Sequence, residues 1–178
     1  EIKWNNSNDL LDVWKSGQTG YPLVDAAMRQ LNETGWLPNR ARLVAASFLV
    51  KHLLINWQHG AEWFMKKLFD ADKASNYFNW HWVTGCGINS NPYFRILNPT
   101  LQSKKHDPTG EYIKTWVPEL SELKPDNIHT PWLCDVDTLS KSHISLNRTY
   151  PRPVVDHMTA RKAAIAAYST ALNKNKVS

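Results

Sequence analysis

Several features are scarce in this sequence, and each scarcity excludes a class of protein. The two cysteines, Cys86 and Cys134, are far apart and have no CxxC or Cys/His spacing, which argues against a disulfide framework or a zinc site. No apolar run is long enough to cross a bilayer, because polar residues interrupt residues 43–55. The chain also lacks a signal peptide and an initial Met. We therefore expect a piece of a longer intracellular protein, in the cytoplasm, nucleoid or nucleus, with no membrane partner.

Signs of side-chain catalysis and of metal binding are missing as well. The sequence shows no pair of groups arranged for general acid–base catalysis and no activated nucleophile. His52, His59 and His81 form no ligand set, so we interpret them as structural or surface histidines and expect no metal.

The composition indicates one folded unit. The chain has 178 residues, 42% of them hydrophobic, which is enough for one sizeable core, so we expect a single helical domain over residues 1–178. Glycine is scarce at seven residues, whereas tryptophan is frequent at nine. The net charge of +5 is compatible with an anionic partner but does not identify one.

Apolar residues recur at helical spacing along most of the chain, which predicts an all-α fold. Pro22 and Gly35 mark the two ends of one helix. The next helix is apolar nearly all round, which is typical of a buried central helix. The predicted helices cover residues 22–34, about 38–57, 60–69, 72–83, 111–117 and 156–172. Residues 84–110 and 124–152 are expected to be largely irregular.

Residues 70–82, DADKASNYFNWHW, carry the most informative pattern. If this segment is helical, Asp72, Asn76 and Trp80 repeat at i, i+4 and i+8 and lie on one face. A helix packed in a core would have aliphatic residues on that face. Here it holds a carboxylate, an amide and an indole, which suit a flat polar heterocycle better than another helix.

Arg42 lies in the first turns of the apolar second helix. An unpaired buried guanidinium costs several kcal/mol, so Arg42 needs a carboxylate partner, and Asp70 and Asp72 are both candidates. On these residues alone, an ordinary ion pair and ordinary core tryptophans remain the simpler explanation.

Four stretches, taken in order and with their spacing, closely resemble the photolyase/cryptochrome family: residues 14–31, 34–57, 70–82 and 91–120. The resemblance corresponds to the back half of that family's helical FAD domain and is strongest to class I cyclobutane pyrimidine dimer photolyases. It implies non-covalent FAD and, as a partner, DNA that contains pyrimidine dimers. The family's antenna domain and the first part of its FAD domain have no counterpart in this sequence. We therefore expect no antenna chromophore, and the missing N-terminal part is a candidate partner.

The resemblance gives each unusual residue a role. Arg42 resembles an arginine paired with a carboxylate beside the flavin ring, and Asp70 resembles that carboxylate. Asn76 lies where photolyases place an asparagine against flavin N5, which favours repair over signalling. The other implied cofactor positions are Asn39, Asp72 and Trp36, and the implied electron-transfer triad is Trp80, Trp57 and Trp4. The implied contacts with the lesion or DNA backbone are Asn39, Arg40, Leu43, Trp82, Arg95, Gln102 and Lys104.

The stretch of residues 84–106 is a second candidate site. It contains Arg95, Lys104 and Lys105 but no Asp or Glu. By composition it fits a solvated charged loop as well as a phosphate-binding loop. The resemblance favours the second interpretation.

The implied activity is light-driven repair of cyclobutane pyrimidine dimers by electron transfer from reduced FAD. A cryptochrome-type blue-light photoreceptor and an incomplete fragment without activity of its own are the alternatives. Asn39 and Leu43 occupy the positions of the histidine pair of (6-4) photolyases, which disfavours that specificity. Tyr77 and Phe78 stand where the family has small residues beside the flavin, so we expect them either to reshape the cavity or to fill space left by the missing half.

Overall fold

The computed structural model describes residues 2–85, 92 and 95–174. Over these residues the protein is helical, with one isolated bridge between Leu146 and Tyr150 and no strand. The all-α prediction is confirmed. No helix in this described part is long and apolar enough to cross a membrane. The α-helices are α1 Asn8–Ser16, α2 Pro22–Thr34, α3 Asn39–Ser47, α4 Trp57–Lys67, α5 Lys73–Thr84, α6 Pro99–His106, α7 Glu111–Trp116, α8 Pro125–Ile128, α9 Val136–Lys141 and α10 His157–Lys174.

The first two helices have well-defined ends. α1 was not predicted, yet the Ser7 hydroxyl accepts from the Leu10 N–H at 3.2 Å and Gly17 ends the helix at φ +65°. α2 matches its prediction, because Pro22 is its first residue and Gly35 follows it at φ +69°. These are local signals that tertiary packing did not override.

The single helix predicted for residues 38–57 is wrong. α3 passes into a π-helical turn, Phe48–His52, and the chain leaves helical geometry at Leu54, where φ is +51°. The Asn56 side chain then accepts from the Gln58 N–H at 3.1 Å, so α4 begins at Trp57 and not at Gly60. Leu53 and Ile55, on the two sides of Leu54, are both apolar and buried, so the hydrophobic pattern does not reveal the break.

Parts of the two stretches expected to be irregular are helical. α6 begins where the Asn98 side chain accepts from the Leu101 N–H at 3.2 Å. Residues 124–152 hold α8, α9 and a 3₁₀ turn, and a second 3₁₀ turn follows α7. Residues 86–91, 93 and 94, which include Cys86, lie outside the described residues.

The main core lies between α2, α3 and the helices that pack on them. Trp14 from α1 is fully buried, stacks on Phe64 with ring centroids 6.0 Å apart, and donates from Nε1 to the Ala45 carbonyl at 3.0 Å. A second cluster under α7 contains Ile113 and Ile128. The first of these cores forms the rigid base on which the candidate site is built.

A buried carboxylate, which with its partners we call the Asp25 cluster, ties α2 to a distant part of the chain. Asp25 accepts hydrogen bonds from the Thr19 N–H and hydroxyl, both at 2.6 Å, from the Gly20 N–H at 3.0 Å and from the Tyr150 hydroxyl at 2.6 Å. Burial raises the pKa of Asp25, and the hydrogen bonds from Thr19 and Tyr150 oppose that rise. Gly20 has φ +78° and faces the backbone of Arg152 closely, so a side chain has no room there.

Candidate functional site

An open cavity with about 200 Å³ of accessible space lies between α3, α4 and α5. The cavity gathers many of the residues predicted from the sequence. Those in its lining are Asn39, Arg42, Leu43, Asp70, Asp72, Asn76, Trp80 and Trp82.

α5 supplies the polar wall of this cavity. Asp72 is the N-cap of the helix and not part of it, and its side chain accepts from the Ser75 N–H at 2.7 Å. The hydrogen bonds from the backbone and side chain of Ser75 hold the pKa of Asp72 below its ordinary value, so this exposed group is an anion at neutral pH. Asn76 and Trp80 follow on the same side, so all three residues of the predicted stripe line the cavity.

Arg42 pairs with Asp70 across the cavity mouth. Its Nη2 donates to both Asp70 oxygens, at 3.0 and 2.7 Å, and its Nε donates to the Leu37 carbonyl at 2.9 Å. Of the two candidate partners, Asp70 is therefore the observed one. The pair is half-exposed and not buried, with side-chain exposures of 28% and 39%. Its contribution to stability is correspondingly small, about 1 kcal/mol or less.

The orientation of the Asn76 amide is fixed by a neighbouring helix. Its Nδ2 donates to the Ala61 carbonyl on α4 at 2.9 Å. This contact requires the nitrogen end of the amide, because a carbonyl can only accept. The oxygen end is thereby left for a donor in the cavity.

Trp80 forms the apolar floor and is only 2% exposed. Its ring packs edge-on against Phe64 and Trp14, with centroids 5.1 and 6.3 Å away. Gly60 on α4 lies directly against it, since a Cβ on that glycine would stand 2.2 Å from the indole. Close packing on these sides holds the indole in one position.

The other two tryptophans of the predicted triad lie outside the cavity lining. Trp57 packs edge-on against Tyr77 and His81, at 5.7 and 4.4 Å, and Trp4 against Tyr168 at 6.5 Å. Among the described aromatic contacts none joins two members of the triad directly. The electron-transfer chain therefore stays a prediction.

The remaining predicted residues surround the cavity or lie on α6. Trp36 is 41% exposed, Arg40 follows Asn39 on the first turn of α3, and neither lines the cavity. Lys104 is exposed on the last turn of α6, and Gln102 is half-buried with no recorded partner for Oε1 among the described residues. Arg95 is exposed just before that helix.

Two polar residues of the cavity lining were missed, and two aromatic residues were placed wrongly. Ser75 and Asn79 line the cavity, and their spacing from Asp72 and Asn76 on α5 could have revealed them. Tyr77 and Phe78 do not line it: Tyr77 packs on Trp57, and Phe78 is 63% exposed. The expectation that these rings reshape the cavity is therefore wrong, because a helix turns them away from its polar face. The alternative, that they fill space left by the missing half, stays a prediction.

The lining fits the isoalloxazine ring of a flavin. It combines an indole floor, free amide and carboxylate acceptors, and one guanidinium, and a flat ring with N–H and carbonyl edges needs such a mixture. Arg42 is the only cation among the described lining residues. The cavity therefore offers little to neutralise a pyrophosphate.

Comparisons with known proteins agree with this fit. A family model for the FAD binding domain of DNA photolyase matches residues 1–170. The deoxyribodipyrimidine photo-lyase of Agrobacterium fabrum is 49% identical over 168 residues, which are 94% of this chain and 35% of that protein. The enzyme of the same name from Escherichia coli is 46% identical over 170 residues, with 96% and 35% covered.

Solved structures give the same family. A class III photolyase from Agrobacterium tumefaciens matches with a TM-score of 0.95 and 47% identity, over 97% of this chain and 36% of that one. A Synechocystis cryptochrome matches with a TM-score of 0.90 and 42% identity, over 94% and 34%. The similarity to class I enzymes stays a prediction, since a class III structure matches this well. The chain spans about a third of the length of these relatives. It belongs to the photolyase/cryptochrome family and represents the part described as the FAD binding domain of DNA photolyase.

Proposed function

We propose that this chain is the flavin-ring portion of a light-driven photolyase that repairs cyclobutane pyrimidine dimers. The supporting observation is the convergence of Arg42, Asp70, Asp72, Asn76 and Trp80 on one cavity. A single helical domain over residues 1–178 is part of this proposal. So is its assembly with the front part of the FAD domain, which would supply the phosphate contacts that this cavity lacks.

The residues of the cavity bind and orient the cofactor. Bound non-covalently, reduced FAD would supply the light-excited electron that splits the dimer. Asp72 is held by the N–H and side chain of Ser75 and would present its remaining acceptor capacity to the ring or its ribityl chain. Asn76 presents its Oδ1 to a protonated ring nitrogen, because its Nδ2 is tied to Ala61. The Leu37 carbonyl and Asp70 hold the guanidinium of Arg42 in one plane, so its Nη1 would be available to donate to the cofactor.

Trp80 would return the cofactor to its reduced state by giving up an electron, and Trp57 and Trp4 would pass the resulting hole toward the surface. Trp80 suits the first position because it is the buried indole of the cavity lining. Trp4 suits the last because it is half-buried, edge-on against Tyr168, and so reaches the surface.

Damaged DNA would bind over the cavity mouth. Asn39, Leu43 and Trp82 would contact the flipped dimer, which is already poorly stacked in the duplex. Arg40, Arg95, Gln102 and Lys104 would contact the phosphates. Slight burial lowers the pKa of His106, and the positive charges of Arg40 and Lys105 lower it further. Arg40 is therefore close enough to the end of α6 for both to contribute to one positive surface.

A blue-light photoreceptor is the second candidate, because a cryptochrome structure matches almost the whole chain. The same cavity would then hold the flavin, but no dimer would bind. In the repair function Trp82 contacts the dimer and the protein binds damaged DNA more tightly than undamaged DNA. In the photoreceptor function neither holds.

Cofactor placement is tested by two aspartates that cap helices in the same way. Asp72 and Asp135 each accept an N–H at 2.7 Å at the start of an exposed helix, but only Asp72 lines the cavity. FAD is titrated into the purified chain and followed by flavin fluorescence. We expect Asp72→Ala to weaken binding at least tenfold and Asp135→Ala to leave it unchanged. Equal effects of the two substitutions would refute this placement.

Activity is tested by light and damaged DNA in a complex known to contain FAD. We expect Trp80→Phe to slow photoreduction strongly and Trp63→Phe to leave it normal. A dimer-containing oligonucleotide should bind more tightly than its undamaged twin, and the dimer should disappear under light. If the two oligonucleotides bind equally and no dimer is lost, the photoreceptor is the better assignment.

A further inference from the structure

Asn79 is a second amide on the cavity face of α5. It follows Asn76 by three residues, and both line the cavity. Asn79 is exposed, whereas Asn76 is half-buried, so Asn79 lies nearer the mouth. Trp82 follows after another three residues and also lines the cavity. The three side chains therefore follow one another along one side of the helix.

The two amides are oriented in the same sense. The Nδ2 of Asn79 donates to the Ser75 carbonyl at 2.8 Å, as the Nδ2 of Asn76 donates to the Ala61 carbonyl at 2.9 Å. In each case the nitrogen is used by a backbone acceptor. No residue that the structure describes donates to the Oδ1 of either amide. Each therefore presents a carbonyl oxygen, and only an acceptor, to the cavity.

A flat ring that stacks on Trp82 would have its edge within reach of Asn79, because residues three apart on a helix are neighbours. An acceptor at that point selects a ring edge that carries an N–H. It also disfavours a ring edge with a bare carbonyl or ring nitrogen, because two acceptors would then face each other without a proton between them.

On these grounds we propose that Asn79 is a specificity-determining residue whose Oδ1 accepts from the imide N–H of a ring bound at the cavity mouth. A cyclic imide occurs both in the flavin ring and in thymine, so the chemistry is shared by the cofactor and the damaged base. The proposal deepens the proposed function and rests on it. It adds a polar contact to a face on which the resemblance assigned Asp72, Asn76, Trp80 and Trp82.

The experiment compares two substitutions at Asn79 with one at a distant asparagine. Asn79→Leu removes the acceptor at similar size, and Asn79→Asp keeps an acceptor oxygen. Asn32→Leu is the control, because Asn32 is also an exposed helical residue whose Nδ2 donates to a backbone carbonyl, that of Lys15 at 2.7 Å, and it lies outside the cavity. Chemical denaturation of each variant first establishes that the fold is retained.

Two pairs of probes identify the source of the imide. The first pair is lumiflavin and its N3-methyl derivative, titrated into the purified chain. The second pair is an oligonucleotide with a thymine dimer and the same oligonucleotide N3-methylated at the dimer, titrated into the FAD complex. We expect Asn79→Leu to weaken one unmethylated probe about fivefold, which corresponds to the loss of one hydrogen bond. Asn79→Asp and Asn32→Leu should retain that affinity, and the methylated probe should not respond to Asn79→Leu.

The pair that responds shows whether the flavin or the thymine is recognised. If Asn79→Leu changes neither pair while the wild-type protein binds both, Asn79 only caps its own helix turn and the inference is wrong. If methylated and unmethylated probes lose affinity equally, the acceptor does not read an imide and the inference is also wrong. If the wild-type protein binds neither flavin nor dimer, the proposed function fails together with the inference.

Discussion

The Asp25 cluster and the cavity mouth both contain carboxylates, but they use them in opposite ways. Asp25 is fully buried, and four donors from Thr19, Gly20 and Tyr150 occupy its two oxygens. Asp72 is exposed, and its hydrogen bonds come from one residue only, the N–H and side chain of Ser75. A saturated carboxylate has nothing left to offer a ligand, whereas Asp72 keeps most of its acceptor capacity.

This difference separates groups that hold the fold from groups that bind. The Asp25 cluster connects segments 125 residues apart in the chain, so its hydrogen bonds fix tertiary structure. At the cavity, Asp72, Asn76 and Asn79 are each held by their own or a neighbouring helix and keep acceptor capacity that faces open space. Such half-used groups cost little stability where water reaches them, and they are oriented before a ligand arrives.

Asp25→Ala should give the largest effect on stability. It leaves the Thr19 and Gly20 N–H groups and the Tyr150 hydroxyl buried without their acceptor, and we expect a loss of about 3–5 kcal/mol. Asp70→Ala, at the half-exposed pair with Arg42, should cost about 1 kcal/mol or less but reduce FAD binding strongly. Urea unfolding and FAD titration of both variants test this. If Asp70→Ala proved the more destabilising of the two, the distinction between the regions would fail.

Gly60→Ala tests whether the cavity floor is as rigid as the core beneath it. The new methyl group would stand 2.2 Å from the Trp80 ring and 2.6 Å from Leu49, so something must shift. We expect a cost of about 1–3 kcal/mol from overpacking, with weaker FAD binding because the indole moves. Glu62→Ala, on the exposed side of the same helix, is the control and should change neither. Unchanged stability and tryptophan fluorescence in Gly60→Ala would contradict a rigid floor.

The sequence predicted what depends on local pattern and missed what depends on distant partners. The ends of α2 follow from Pro22 and Gly35, and the face of α5 follows from spacing alone. The break before α4 was missed because apolar residues lie on both sides of it, and the Asn56 cap was not recognised as the start of a new helix. The helical pattern of α2 does not reveal that Asp25 is fully buried, because the residue that completes its hydrogen bonds, Tyr150, lies far along the chain.

The roles of the site residues depend on more than local pattern. Arg42 found its partner among two nearby candidates because only Asp70 reaches its Nη2. Tyr77 and Phe78 were misplaced because their neighbours in the sequence face the cavity, although a helix rotates successive residues by about 100°. Function-bearing contacts with FAD and DNA remain predictions of the resemblance.

His52, which pairs with His157, is buried like Asp25 but keeps one ring nitrogen without a partner among the described residues, like the half-used groups at the cavity. This pair should make the stability of the fold sensitive to acid. His52 is buried, its Nε2 lies 2.9 Å from His157 Nδ1, and its own Nδ1 has no partner among the described residues. Burial, and then the charge of His157, lowers the pKa of His52 from 6.5 to about 3. Because the unfolded chain takes up the proton first, stability is complete above pH 6.5 and falls as pH drops toward 3.

For one such group the loss between pH 6.5 and 4.5 is about 2 kcal/mol. Burial lowers the pKa of His157, the charge of Arg161 lowers it further, and the charge of Asp156 raises it. Asp156 and Arg161, at the start of α10, are present in every variant. The free energy of unfolding is measured against pH for the wild type, His52→Phe and, as a control, exposed His59→Gln. Only His52→Phe should reduce the slope of the free energy of unfolding against pH. Equal slopes in all three proteins would mean that the pair does not contribute.

The smallest expected effect belongs to Phe78, and it tests the corrected wall of the cavity. Phe78 is on the same helix as Asn76 and Asn79 but is 63% exposed and outside the lining. Phe78→Ser should change stability by about 0.5 kcal/mol or less, because little buried area is lost at an exposed site. FAD affinity should be unchanged, whereas Asn76→Leu, two residues away on the lining face, should weaken it. A clear loss of FAD affinity in Phe78→Ser would mean that the ring does reach the cofactor, and that the polar face of α5 is wider than the cavity lining indicates.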